Sequence, residues 1–124
     1  MQIEFDSQKP IYLQIADMIR SAILAGDIDE EEAIPSVRQL SVEHNLNPQT
    51  VLNATQELIE EGLIEKRRGL GMYVKSGAQE QLRRKRLEQF KESTLPDLVN
   101  TARMIGMTKE ELMRRIEEIY KENE

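Results

Sequence analysis

Pro35-Ser36-Val37-Arg38-Gln39-Leu40, followed after four intervening residues by Asn45-Leu46-Asn47-Pro48-Gln49-Thr50-Val51, is the stretch whose reading decides the fold. Pro35-Ser36 opens a helix in which Ser36 can cap the start and Gln39, three residues on, can close a capping box. Val37 and Leu40 face inward. Asn45 is a residue type that tolerates the left-handed backbone of a tight turn, and Leu46 would plug the space between two helices. Asn47 then caps a new helix with Pro48 at its first position, where the missing N–H costs nothing. Two helix starts separated by so tight a turn predict a helix-turn-helix.

Working outward, Ile11, Ile15, Met18, Ile19, Ala22 and Ile23 form one apolar stripe of an earlier helix that Gly26 stops. Residues 27–32 read as an acidic connector, and Ala33-Ile34 as a token strand. Downstream, the third helix runs to about Glu61, burying Val51, Ala54, Leu58 and Ile59, and Gly62 ends it. Leu63 to Lys75 reads as two short strands around a glycine-containing turn. Helix, helix, turn, helix, hairpin is the order of a winged helix-turn-helix, expected over residues 1–77 with Ser76-Gly77 as the boundary.

Residues 78–124 then form a helical dimerisation tail. Leu87, Phe90, Leu95, Leu98, Val99, Ala102 and Ile105 hold a helical phase through Pro96, as one kinked helix or as two with Thr94 capping the second. Gly106 stops this segment. Thr108 and Glu111 make a second capping box, and Leu112, Ile116, Ile119 and Tyr120 line one face of the last helix. Such a tail cannot bury its stripes alone. The expected fold class is mainly α with a small β-hairpin, and the expected assembly a homodimer.

Composition bounds the chemistry. With 124 residues, no cysteine and one histidine, disulfides, thiolate metal sites and histidine clusters are excluded, and no metal or cofactor is expected. No apolar run approaches a membrane span, and Met1–Asp6 lacks the pattern of a signal peptide, so a cytoplasmic protein is expected. The carboxylates are dispersed and no nucleophile–base pair stands out, so no catalysis is expected. The net charge is −6, and residues 1–77 carry all of it, with 13 acidic residues against 7 basic. DNA binding there must rest on where the charges sit.

Their placement favours it. From Asn47 to Gln56 the third helix holds no acidic residue and offers Asn47, Gln49, Thr50, Asn53 and Gln56; asparagine and glutamine can pair bidentately with adenine in the major groove. Lys66, Arg67 and Arg68 cluster at the hairpin beside Gly69 and Gly71, and Ser36 and Arg38 complete the rim from the preceding helix. The distribution implies fewer phosphate contacts than a basic repressor makes. Arg83-Arg84-Lys85-Arg86 points in all directions around a helix, which suits a solvated surface with intersubunit ion pairs to the acidic tail. His44 reads as an exposed turn residue, Tyr12 and Tyr73 as core packing, and Met72, Met104, Met107 and Met113 as gap-filling contacts.

The blocks Pro10-Ile11-Tyr12-Leu13-Gln14-Ile15, Ile34-Pro35-Ser36-Val37-Arg38-Gln39-Leu40, Thr50-Val51, Glu61-Gly62-Leu63-Ile64 and Arg67-Arg68-Gly69-Leu70-Gly71-Met72-Tyr73-Val74 closely resemble the GntR family of bacterial transcription regulators. Asn47-Pro48-Gln49-Thr50-Val51 and the short tail are similar to the YtrA-type subfamily. The resemblance implies a homodimer on a near-palindromic operator, with Arg38 on DNA, Asn47, Gln49 and Thr50 in the major groove, and the Arg68-Gly69 wing tip in the minor groove. It suggests a repressor of a transport operon. Many members place arginine where Pro48 and Leu52 stand, and neither of these can make the charged or bidentate base contact that arginine makes. The competing expectation, motivated by the acidic N-terminal half, is a protein–protein adaptor without DNA binding. The tail is too short to enclose a ligand cavity of the usual ~300–1,000 Å3, so a small effector would sit at the dimer interface or between tail and winged domain.

Overall fold

Ile15, Ala16, Ile19, Ala22 and Ile23 are buried along one face of α1 (Ile11–Ala25), the helix around which the first half of the chain packs. Ile15, Ile19 and Ile23 are almost completely sealed, each contributing about 1.5–3 kcal/mol through removal of its side chain from water. The computed structural model describes Phe5 and residues 7–124, so the reading of Met1–Asp6 as lacking a leader falls almost wholly outside the described residues. Gly26 closes α1 in the left-handed conformation, with φ of 82°.

The two helix starts form as their capping residues dictate. In α2 (Val37–Glu43), Ser36 Oγ accepts from the Gln39 backbone N–H at 3.1 Å, and Gln39 Oε1 accepts from the Ser36 N–H at 2.8 Å. Asn45, with φ of 53°, makes the left-handed turn, and Leu46 donates its N–H to the Ser41 carbonyl at 2.8 Å. In α3 (Pro48–Glu60), Asn47 Oδ1 accepts from the Gln49 N–H at 2.8 Å with Pro48 at the first helical position. Val51, Ala54, Thr55 and Leu58 bury one face of α3, while Ile59 is only half-buried. His44 differs from its expected exposure. It is the C-cap of α2, still wound with that helix, and its side chain is only 12% exposed.

β1 (Ile64–Arg67) and β2 (Gly71–Val74) pair antiparallel, Ile64 opposite Val74 and Arg67 opposite Gly71. The connector after α1 runs along the other edge of β2. Glu31 donates to the Val74 carbonyl, Val74 to Glu32 and Ile34 to Met72, all at 2.8–2.9 Å, and Ala33 bridges Tyr73. The expected token strand is therefore that single bridge, flanked by bonds that root the wing in the core. Tyr12 and Met72 pack partly buried against that core.

α4 (Ala78–Gln89) begins inside the same core. Ala78 and Leu82 are buried there, Gln79 Nε2 donates to the Leu24 carbonyl at 3.2 Å, and Gln81 Nε2 donates to the Glu61 carbonyl at 3.0 Å. The chain accordingly divides into two compact units between Arg84 and Lys85. The boundary read at residue 77 falls earlier, because Ser76-Gly77 marks a turn in the chain rather than the end of the core.

From Ala78 to Met104 the helix is continuous: α4, a π-helical turn over Phe90–Thr94, and α5 (Leu95–Met104). Thr94 has helical dihedrals and makes no side-chain cap, which removes the two-helix alternative. Pro96 cannot donate to the carbonyl four residues back and crowds it, and the widened turn falls where that conflict arises. α6 (Lys109–Glu122) starts at the Thr108–Glu111 capping box. Met104 and Met113 are exposed, by 86% and 57%, so within one chain they fill no gap. No helix among the described residues is long and apolar enough to cross a membrane.

Candidate nucleic-acid interface

The outer face of α3 is set by which residues its core face consumes. With Val51, Ala54, Thr55 and Leu58 turned inward, Asn47, Gln49, Leu52, Asn53 and Gln56 stand exposed and Thr50 is half-buried. Gln49 Nε2 donates to Asn53 Oδ1 at 3.0 Å, so the two amides one turn apart are held together. Each keeps further acceptor and donor capacity for a base edge. Asn47 is partly committed, its oxygen capping the helix it begins. The start of α3 carries the positive end of its dipole, which favours phosphate, although Pro48 has no N–H and that of Gln49 is taken by the Asn47 cap.

Ser36 and Arg38 lie at the start of α2, both exposed. The Ser36 oxygen is occupied as an acceptor by the cap, and its O–H remains able to donate. Among the described residues Arg38 makes no ion pair. It borders a shallow depression with Gln39, Val42 and Glu43.

The wing separates its three basic residues. Lys66, Arg68 and Gly69 are exposed, and Leu70 donates its N–H to the Arg67 carbonyl at 2.9 Å to close the tip. Gly69 holds φ of 76°, a conformation that favours glycine. Arg67 is engaged within the domain. Its guanidinium bonds Glu31 at 2.5 Å and Glu65 at 3.1 Å and lies 4.2 Å over the ring of half-buried Tyr73. The hydrogen bonds to Glu31 and then Glu65 hold its pKa above the usual arginine range. Sequence reasoning placed Arg67 beside Arg68 as an outward cation and missed both carboxylates. Glu65 was legible, since residues two apart in a strand share a face. Glu31 was not: it is 36 positions away and sits in the left-handed region with φ of 68°.

Other acids are also paired. Arg20, its side chain 16% exposed, bonds Glu61 and Asp17, tying α1 to the end of α3, and Lys9 pairs with Asp17. Asp17, Glu31, Glu61 and Glu65 thus face basic residues of the same unit. The basic run is similar in kind: Arg83 pairs with Glu80 at 2.7 Å on the same helix. No group of three or more metal-ligating side chains occurs among the described residues.

In the second unit, Leu87, Phe90, Leu95, Leu98, Ile105 and Ile119 are each 40% or more exposed, Val99, Leu112 and Ile116 are half-buried, and Ala102 is buried. α5 and α6 shape an open apolar groove of about 360 Å3, with Leu98, Ala102, Leu112 and Ile116 on its walls and Arg103 and Lys109 among its lining. The tail was expected to be too short to enclose a cavity of the usual ligand size by itself. Two helices splayed around Gly106 leave it as an open trough rather than an enclosed cavity.

Residues 11–74 match the model of the gntR family of bacterial regulatory proteins. The chain is 36% identical over 119 residues to the HTH-type transcriptional repressor YtrA of Bacillus subtilis, covering 96% of this chain and 91% of that protein. It is similar, with a TM-score of 0.74 and 30% identity, to a GntR family transcriptional regulator from Listeria monocytogenes, covering 92% of this chain and 98% of that one. The DNA-binding domain of AraR in complex with its operator ORR3 is a further structural neighbour, with a TM-score of 0.51 and 28% identity over 60% of this chain and 92% of that one. The helix-turn-helix, the basic glycine wing and the short helical tail are thus those of a known class of transcription regulator, and the chain belongs to the GntR family of bacterial regulatory proteins.

Proposed function

We propose that this protein is a repressor that binds a near-palindromic DNA operator as a homodimer, in the cytoplasm, with α3 in the major groove and the wing tip in the minor groove. The observation that carries the reading is the outer face of α3: exposed amides, no acidic residue from Asn47 to Gln56, and exposed Arg38, Lys66 and Arg68 around it without an ion pair among the described residues. Gln49, Asn53 and Thr50 read bases, with Asn47 beside them. Ser36, Arg38, Lys66, Arg68 and Gly69 hold the backbone. Arg67 supports the wing through Glu31 and Glu65. The AraR–operator complex supports operator binding by a domain of this fold, and the repressor YtrA supports the sign of regulation. A transport operon as target follows the family resemblance.

The dimer reading rests on the exposed apolar residues of the tail, from Leu87 to Ile119. The groove between α5 and α6 lies in the same surface, where a second copy or a small effector would cover it. Light scattering at micromolar concentration tests the dimer, and a monomer there refutes it.

The DNA reading is tested by gel shift on the protein's own upstream region. Gln49→Ala should relax specificity, each lost base contact costing about 1–3 kcal/mol. Arg38→Ala should weaken all sequences alike. If wild type shifted no genomic fragment at low salt, the adaptor alternative would replace this proposal.

A further inference from the structure

We infer that Leu52 is a specificity-determining residue that reads the C5-methyl group of a thymine in each operator half-site. The inference deepens the DNA-binding reading above and rests on it.

Leu52 is 48% exposed on α3. It lies three residues after Gln49, one before Asn53 and four before Gln56, so all four residues share one face of the helix. Its backbone carbonyl accepts from buried Thr55 Oγ1 at 2.9 Å, but its side chain is left out of the core that Val51, Ala54 and Leu58 build. A single leucine exposed on a surface is ordinary. What distinguishes this one is its surroundings: it is the one large apolar side chain among the exposed amides of Asn47 to Gln56, a stretch without an acidic residue, the first acid on that face being Glu60, which accepts from Gln56 Nε2 at 3.5 Å at the far end of the helix.

Major-groove base edges present donors and acceptors almost everywhere, and the thymine methyl is their one apolar group. The amides can satisfy the polar edges; a leucine cannot, and over any other base it would desolvate a polar atom without replacing its hydrogen bond. Over thymine it covers a methyl instead. Gln49 and Asn53, bonded at 3.0 Å, flank that position and suit adenine. The expected half-site therefore places thymine beside an adenine read by this amide pair.

The test uses the full chain and an operator selected from random DNA by the wild type. Each thymine is replaced singly by deoxyuridine, which removes the methyl and preserves base pairing. One position per half-site should weaken wild-type binding about 3- to 5-fold, the factor for losing burial of one methyl-sized group. Leu52→Ala should bind the parent operator as wild type binds the substituted one, and the same replacement should leave its affinity unchanged. Leu52→Met should retain the methyl dependence, and circular dichroism should show all three folded. A selected operator without thymine, no replacement that weakens wild type, or equal losses for wild type and Leu52→Ala would each overturn the inference while leaving DNA binding intact. Failure to enrich any sequence would instead remove the DNA reading, and this inference with it.

Discussion

Replacing Ser36 separates its role in folding from its role on DNA. α2 has seven residues, so few in-helix hydrogen bonds hold it and its cap carries a large share of its local stability. Ser36→Ala removes the acceptor for the Gln39 N–H at 3.1 Å and leaves the Gln39 side chain to hold the Ser36 N–H alone. Loss of a serine cap costs about 0.5–2 kcal/mol, and a helix this short should fall in the upper half of that range. For a folding unit of this size the melting temperature should drop by about 4–8 °C per kcal/mol, with the urea m-value unchanged. Ser36→Asp restores an equally good cap, and its charge suits a helix N-terminus, so its stability should lie within about 0.5 kcal/mol of wild type by the same capping scale. On DNA the order reverses. The aspartate places a negative charge, and no donor, where the hydroxyl would meet phosphate, so it should weaken binding to every sequence more than alanine does. Thermal melts and gel shifts on the three proteins decide the matter. An unmoved melting temperature for Ser36→Ala, or Asp binding DNA as tightly as wild type, would refute the respective half of the reasoning.

Gly69→Ala places a side chain in open space but at φ of 76°, which costs about 1–2 kcal/mol for an L-residue; calorimetry should show the loss, and Gly69→Asn should lose less. Arg67→Ala frees Glu31 and Glu65 and uncovers Tyr73, so amide exchange at Met72 and Val74 should quicken while that of α3 holds; unchanged exchange in β2 would show that the ion pairs do not brace the wing. Arg20 is held above the usual arginine range, first by its hydrogen bond to Glu61. Its contribution is present below that range and is lost only as pH rises through the raised value. Arg20→Lys moves that loss to about pH 10, where lysine discharges, so urea midpoints of wild type and variant should run parallel through neutral pH and part above about pH 10.

Local chemistry made the helix starts and turns readable. Ser36 with Gln39, Asn45 and Asn47 with Pro48 in the first unit, and Thr108 with Glu111 in the second, all act within four residues of themselves, and each takes its expected part. The hairpin followed from Gly69 and Gly71 between apolar alternations. What escaped depends on distant partners. Arg67 looked outward until Glu31 came alongside, and Ala78 and Leu82 looked like tail until the core closed over them. His44, the C-cap of α2 just before the Asn45 turn, has its side chain only 12% exposed, which no local signal indicated. At Pro96 the sequence supports both a break and a kink, and the π-helical turn that absorbs the proline has no pattern of its own.

The ion pairs of the first unit have a consequence for counterion release. Residues 1–77 contain seven basic side chains. Lys9, Arg20 and Arg67 already face carboxylates, which leaves Arg38, Lys66, Arg68 and Lys75 without an ion pair among the described residues. A phosphate taken up by one of these four displaces condensed cations from DNA; one approaching the other three must first displace an anion that belongs to the protein. At about 0.9 cations per phosphate, the logarithm of affinity should fall against the logarithm of salt with a slope no steeper than about −3.6 per protomer. Rising ionic strength would then loosen the protein from arbitrary DNA and from its operator by similar factors, and the ratio between the two, set by base contacts, would persist.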